Sequence, residues 1–325
     1  MRTLKIALLA SLASLACLGV LPQASGQTVS IPPIMKIIVP FASGSTTDLV
    51  ARGVAAQLAT RLGNTVVVEL RGGGSTMIGA GAVANGPKDG SLLLMTTNST
   101  VSASATLQST PFDMNRDLMP IALIGDGPMM VGASSKSGIK TPADLVNTAR
   151  AKPDTITYGT SGVGSLPHLS TELFADAAKI QLKHIPYKGG GAAVVDLAAG
   201  TIDIMFATHS TFAPHIQAGR VVPVAVTTRQ PNPAFPNLPS MASVAPAYAG
   251  SVWISVFAQS GMPAPLAQRL NRELNEIAAA RDMSTVLNQN GLPPLALSLE
   301  DLRIRMREEY NGWKKIAVDR KIVLE

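Results

Sequence analysis

Three short loops hold the residues with the most chemical potential in this chain. They are Phe41-Ala42-Ser43-Gly44-Ser45-Thr46-Thr47, Arg71-Gly72-Gly73-Gly74-Ser75-Thr76 and Thr160-Ser161-Gly162-Val163-Gly164-Ser165. Each sets small hydroxylic residues between an aliphatic run and an amphipathic one. In open α/β sheets, a loop leading from the carboxyl end of a strand into a helix is where ligands bind. Helix N-termini there present unpaired N–H groups and a partial positive charge, which suit a carboxylate or a phosphate. Glycine lets backbone amides come close, while Ser and Thr hydroxyls add adjustable donors. One such loop usually does no more than turn the chain. Three of them, divided between two halves of the sequence, point to an anion site.

The same residues do not spell out an enzyme. Gly74 to Gly79 is not followed by the Lys-Ser/Thr of a P-loop. Gly162-Val163-Gly164-Ser165-Leu166-Pro167 lacks the third glycine of a dinucleotide fingerprint, and Gly159-Thr160-Ser161-Gly162-Val163 misses the last glycine of a nucleophile elbow. His168, His184, His209 and His215 have no metal-ligand spacing with carboxylates or with one another, which argues against a zinc site. Neither a cofactor nor a metal is expected. His168 falls in the first turn of a helix facing the third loop, where it either contacts an anion or caps and packs. His209 follows a strand end at the same kind of edge and carries the same two readings. Trp253 either lines a cleft or fills a core, with core filling the default. A secreted hydrolase or lyase pairing His168 with Ser161 lacks a third, orienting group.

The elements that must position these loops read as repeated strand–loop–helix units. Residues 36–41 (KIIVPF) form a strand, residues 42–45 a loop and residues 46–62 a helix. That helix has Thr46 or Thr47 as its expected cap, Asp48 in its first turn and Gly63 as its stop. Leu49, Val50, Val54, Leu58 and Leu62 mark one face at helical spacing. Residues 65–69 and 91–96 read as strands, with the glycine-rich loop and a short helix at 77–84 between them. Extended candidates at 121–124 and 129–133 lead to a helix opened by Thr141-Pro142-Ala143-Asp144. Further strands at 156–159, 183–187, 202–207, 221–227 and 252–257 alternate with helices at 167–178 and 191–199. Residues 229–246 carry five prolines and read as an irregular crossing. Helices at 265–281 and 299–318 close the chain. The alternation argues for an α/β protein with parallel sheets covered on both faces. Crossings near Pro128–Val131 and Gly250–Trp253 imply two lobes: 27–130 with 251–325, and an inserted 131–250.

Residues 1–26 stand apart. Arg2 and Lys5 precede an almost unbroken apolar run at 6–21, and Ala24-Ser25-Gly26 supplies small residues before a cut at Gln27. That is the layout of a cleavable secretory signal peptide, and the run is shorter than the ~20 residues of a membrane span. Export to the periplasm is expected. Cys17, the only cysteine, lies inside this leader, without the aliphatic residue that lipidation prefers before it. The exported chain would then form no disulfide and hold no thiolate nucleophile. The net charge of +6 is scattered, and two of its cations belong to the leader. No basic stripe with interleaved aromatics marks a nucleic-acid binder; mild positive charge instead favours anionic solutes as a weak, salt-screened bias.

In order and spacing, the residues resemble the Bug receptors, periplasmic binding components of tripartite tricarboxylate transporters. Ile38-Val39-Pro40-Phe41 with Gly44 and Asp48-Leu49-Val50-Ala51-Arg52 resembles that family's first loop and helix. Val66-Val67-Val68-Glu69 with Arg71 and its glycines resembles the second, and Pro87-Lys88-Asp89-Gly90 the turn before the third strand. Tyr158 to Gly164 with His168-Leu169 and Glu172-Leu173-Phe174 resembles the second-lobe signature. His184-Ile185-Pro186-Tyr187-Lys188-Gly189, Asp196-Leu197, Gly200, Met205-Phe206, Leu270-Asn271, Gly291 and Trp313 follow in order. The resemblance implies a two-lobed periplasmic binding protein, type II-like, with two crossover segments and a cleft closing on a small carboxylate. The implied ligand is a dicarboxylate, tricarboxylate, acidic amino acid or aromatic acid. Phe41, Ala42, Ser43, Gly44 and Thr47 would hold the carboxylate, partly through water, with Asp48 capping the helix. Ser161, Gly162, Gly164, Ser165 and His168 would serve from the second lobe, with His209 and Trp253 as weaker additions. The implied protein is a monomer that is not an enzyme and that serves inner-membrane permease subunits. A sensor-presenting receptor and a periplasmic chaperone module are the other readings. The chain departs from the pattern at Ser45, where a second glycine is usual, and at Leu70, where Asn is usual. The second loop ends Gly74-Ser75-Thr76 rather than in a glycine pair. The extra hydroxyls keep the anion chemistry and bear on which ligand is taken.

Overall fold

Aliphatic runs rich in Val, Ile, Leu and Met become strands buried on both faces, as a sheet covered by helices on each side requires. The computed structural model describes residues 30–322 apart from residues 42, 108, 188, 231 and 233. The expected leader therefore lies outside the described residues. Strands β1 (Ile34–Val39), β2 (Thr65–Leu70), β3 (Leu92–Thr97) and β4 (Leu118–Gly127) form one sheet with β10 (Val252–Gln259), in the order β2-β1-β3-β10-β4. Strands β5 (Met130–Ser134), β6 (Thr157–Thr160), β7 (Lys183–Pro186), β8 (Ile204–Ala207) and β9 (Val221–Val226) form the other, in the order β7-β6-β8-β5-β9. The chain is a two-lobed α/β protein.

The two sheets share one topology. β1 runs parallel to β2 and β3, and β10 runs antiparallel to β3 and β4. Likewise β6 runs parallel to β7 and β8, and β5 runs antiparallel to β8 and β9. Both sheets are therefore mixed, not purely parallel as the alternation of elements suggested. The reason is the crossings. β5 and β10 each enter a sheet directly from the other lobe, at the edge where the parallel strands end, so each must run against them. Thr227, fully buried, ties the crossings together: its Oγ1 accepts from the Met129 N–H at 2.9 Å, and its carbonyl accepts from the Gly250 N–H at 2.9 Å.

Helices cover both sheets. They are α1 (Thr46–Leu62), α2 (Met77–Ala84), α3 (Asn98–Thr106), α4 (Met114–Asp117), α5 (Pro142–Ala151), α6 (Leu166–Ala178), α7 (Gly190–Ala199) and α8 (His209–Gln217), with α9 (Ala264–Ala279), α10 (Arg281–Gln289) and α11 (Leu299–Asp319) after the last strand. Ser45, rather than Thr46 or Thr47, caps α1, because its side chain is the one that accepts the Asp48 N–H. Thr141 and Asp144 make a reciprocal capping box at α5. Among the described residues, no helix is long and apolar enough to cross a membrane. α11 lays Leu302, Met306, Trp313 and Ile316 into the core of the first sheet beside Trp253 and Phe257. Tyr158, Phe174, Phe206 and Tyr248 fill the second. Each fully buried aliphatic or aromatic side chain contributes about 1.5–3 kcal/mol. Those cores hold the loop-bearing edges in place.

Candidate functional site

The mutually paired parallel strands of each sheet end at one edge, and each is followed there by a loop into a helix N-terminus. In the first lobe β1, β2 and β3 lead to α1, to a tight turn at Gly74–Thr76 followed by α2, and to α3. In the second, β6, β7 and β8 lead to α6, α7 and α8. A cavity of about 190 Å³ lies between the two edges, lined by Ser75, Thr76, Ser99 and Ala103 on one side and Ser161, Val163, Gly164 and Ser165 on the other. Five of those side chains are hydroxylic and none is charged. A larger hollow of about 440 Å³ runs along α11 beside Gly250, Arg305, Glu309 and Trp313. Its charged lining, Arg229, Arg305, Glu308 and Glu309, comes from the crossing and α11 rather than from the strand–loop–helix edges.

The second-lobe loop is held from beneath. His168 is buried, and its Nδ1 accepts the Gly164 N–H at 3.0 Å. Its ring stacks on His184, with centroids 3.8 Å apart and planes 11° from parallel, and His184 stacks in turn on Tyr158 at 4.9 Å. His184 Nε2 meets the Thr160 hydroxyl at 2.7 Å. Burial, with the neighbouring His184 adding to it, pushes His168 down to about 3, and burial pushes His184 down to about 4. Both rings are neutral at physiological pH, and the accepting Nδ1 fixes His168 as the Nε2–H tautomer. Ser165, the N-cap of α6, makes no side-chain cap; its hydroxyl donates to the Gly162 carbonyl at 2.7 Å. Gly189 and Thr208, at the heads of α7 and α8, make no side-chain cap either. In the first lobe, by contrast, Ser45 and Thr97 cap α1 and α3.

The first-lobe wall is strained. Gly73, Gly74, Ser75 and Thr76 have φ of 110°, 54°, 51° and 78° in succession. Left-handed backbone costs a non-glycine residue roughly 1–2 kcal/mol, and a β-branched threonine there is a conformational outlier. A hydroxyl chain offsets part of that cost. Thr100 Oγ1 donates to Thr76 Oγ1 at 2.8 Å and shares a 2.5 Å hydrogen bond with Thr96 Oγ1, both threonines being fully buried. The strain therefore sits in the residues that face the cavity, a placement typical of functional sites.

Residues 50–322 match the family described as "Tripartite tricarboxylate transporter family receptor". The chain belongs to that family. It is 30% identical to BugT of Bordetella pertussis over 306 residues, covering 93% of this chain and 94% of that protein. Among solved structures it resembles an adipate-bound protein of R. palustris, with a TM-score of 0.76 and 30% identity over 89% of this chain and 98% of that one. It also resembles the periplasmic binding protein BugD, with a TM-score of 0.73 and 27% identity over 91% of this chain and 100% of that one.

In this tripartite tricarboxylate receptor the expected site residues separate into three groups. Ser161, Gly164 and Ser165 line the cavity, and Gly162 shapes the loop by accepting from Ser165 and donating its N–H to Thr160 Oγ1. Phe41, Ser43, Gly44 and Thr47 stand at the end of β1 next to the second loop, but outside the cavity lining, and Ala42 lies outside the described residues. Asp48 is buried; its Oδ2 accepts the Gly44 N–H at 2.9 Å and its Oδ1 pairs with Arg52 Nε at 2.9 Å. His168 supports the loop through its Nδ1, which accepts from Gly164, and keeps only its Nε2–H for any other partner. Trp253 is corrected to a core residue: it is 0% exposed and its Nε1 donates to Glu309 at 2.8 Å, leaving no surface for a ligand. His209 is exposed and its ring lies 5.1 Å from Phe235, away from the cavity. Ser99 and Ala103 join the lining from α3, a helix with no aliphatic period; the polar Asn98-Ser99-Thr100 directly after a strand is its one local signal.

Proposed function

We propose that this receptor captures a small carboxylate between its lobes in the periplasm and delivers it to the permease subunits of a tripartite tricarboxylate-type transporter, without chemical turnover. The carrying observation is the hydroxyl-lined cavity against the N-terminus of α6. Ser161 would donate to the carboxylate, Ser165 would join it by releasing its hydrogen bond to the Gly162 carbonyl, and first-turn N–H groups of α6 would add to them. Ser75, Thr76 and Ser99 would face it from the first lobe. Closure about the crossings at Met129, Thr227 and Gly250 would bring Ser43, Gly44 and Thr47 to the ligand's far end. The adipate found in a relative at 30% identity supports a carboxylate. Turnover by Ser161 and His168 is disfavoured, because His168 Nδ1 is committed to Gly164. A thermal-shift screen of dicarboxylates, tricarboxylates, aromatic acids and acidic amino acids tests the proposal. At least one acid should raise the melting temperature; stabilisation by a neutral solute alone would contradict it.

A further inference from the structure

We propose that Ser75 and Thr76 set the length of the acid this site accepts, selecting three- and four-carbon diacids over longer ones. The inference rests on the carboxylate reading above and deepens it. Both residues line the cavity, and both hold backbone conformations, at φ of 51° and 78°, that a glycine would hold without cost. A turn of this shape needs no side chain, yet two are present. They stand on the first-lobe wall opposite Ser161 and Ser165, so their bulk comes directly off the span between the lobes. The remaining volume of about 190 Å³ falls below the roughly 300–1,000 Å³ of pockets that hold drug-sized ligands. Thr76 is further fixed by its bond from Thr100, which is anchored to Thr96 in the core. A rotamer change at Thr76 would break that bond, so this part of the wall resists retreat.

Five hydroxyls and, among the described residues, no charged side chain make a lining that meets a carboxylate at one end and a second polar group close behind it. A long methylene spacer would place its carbons against Ser75 and Thr76 and leave their hydroxyl protons without an acceptor, which is unfavourable once water is excluded.

The test is calorimetric titration of the full chain with unbranched dicarboxylates of three to eight carbons, comparing the natural protein with Ser75→Gly/Thr76→Gly. The natural protein should bind the three- or four-carbon acid at least tenfold more tightly than the six-carbon one. In the double variant that ratio should fall to threefold or less, or invert, and the melting temperature without ligand should hold or rise as the left-handed strain is relieved. Thr76→Ser, which removes one methyl group, should give an intermediate ratio. An unchanged ratio in the double variant would overturn the assignment while leaving the carboxylate reading intact. Binding of no dicarboxylate by either protein, with a neutral solute bound instead, would overturn both.

Discussion

The loop at the head of α1 and the loop at the head of α6 are built alike and charged differently. Gly44 and Gly164 have φ of 80° and 71°, and each precedes a serine N-cap, Ser45 or Ser165, with φ near −65° and ψ of 156°. In each loop the side chain three residues after the cap reaches back to the glycine N–H: Asp48 Oδ2 at 2.9 Å in one, His168 Nδ1 at 3.0 Å in the other. The first acceptor is a carboxylate with Arg52 beside it; the second is a neutral imidazole. A carboxylate in the first turn already satisfies the helix's preference for negative charge. A neutral acceptor leaves that preference open. The comparison teaches that one backbone device can either fill a helix N-terminus with a carboxylate or leave it without one, and that the second lobe leaves it without one.

The comparison can be broken most forcefully with acid. Because folding depresses both His168 and His184, the unfolded chain binds more protons than the folded one below about pH 6.5. Stability should therefore fall as pH drops from 6.5 toward 4, by up to about 1.4 kcal/mol per pH unit for the buried His168 and by less for the half-buried His184, which solvent partly screens. Denaturant unfolding across that range, with amide exchange opening first at Gly164, would show it. His184→Gln should flatten part of the slope. Next in size, His168→Asp would copy the first loop's chemistry into the second. A carboxylate about 6 Å from the bound anion costs roughly 2–3 kcal/mol at an effective dielectric near 20, so affinity should fall about a hundredfold, as read by calorimetry. The smallest effect is on the other side: Ser45→Ala removes a cap worth about 1 kcal/mol of stability and should lower the melting temperature while changing ligand affinity less than twofold.

How much of this was legible in the sequence depended on whether the signal was local. The Thr141–Asp144 box announced α5 because capping chemistry needs only four neighbouring residues. Helix α3 did not announce itself. Its residues 98–106 are small and polar with most of them buried, so no aliphatic period marks a face. The matching topologies of the two lobes were invisible for a similar reason: Gly-Ser-x-x-Asp and Gly-Ser-x-x-His share a geometry but little sequence. His168 had two readings at the sequence level, and its bond from Gly164 and its stack on His184, brought in by a different strand, are contacts that no local pattern announces. The strain at Ser75 and Thr76 was hidden because a left-handed backbone is announced by glycine, and these positions have none.

The central claim is that the second-lobe loop, not the first, anchors the carboxylate. It is tested most directly by calorimetric titration of a small dicarboxylate into two paired variants, Ser161→Ala/Ser165→Ala and Ser43→Ala/Thr47→Ala. Hydrogen bonds to a charged group are worth about 1.5–3 kcal/mol each, so the second-lobe pair should lose about a hundredfold or more in affinity and the first-loop pair threefold or less. A larger loss in the first-loop pair, or full affinity in the second-lobe pair, would contradict the account.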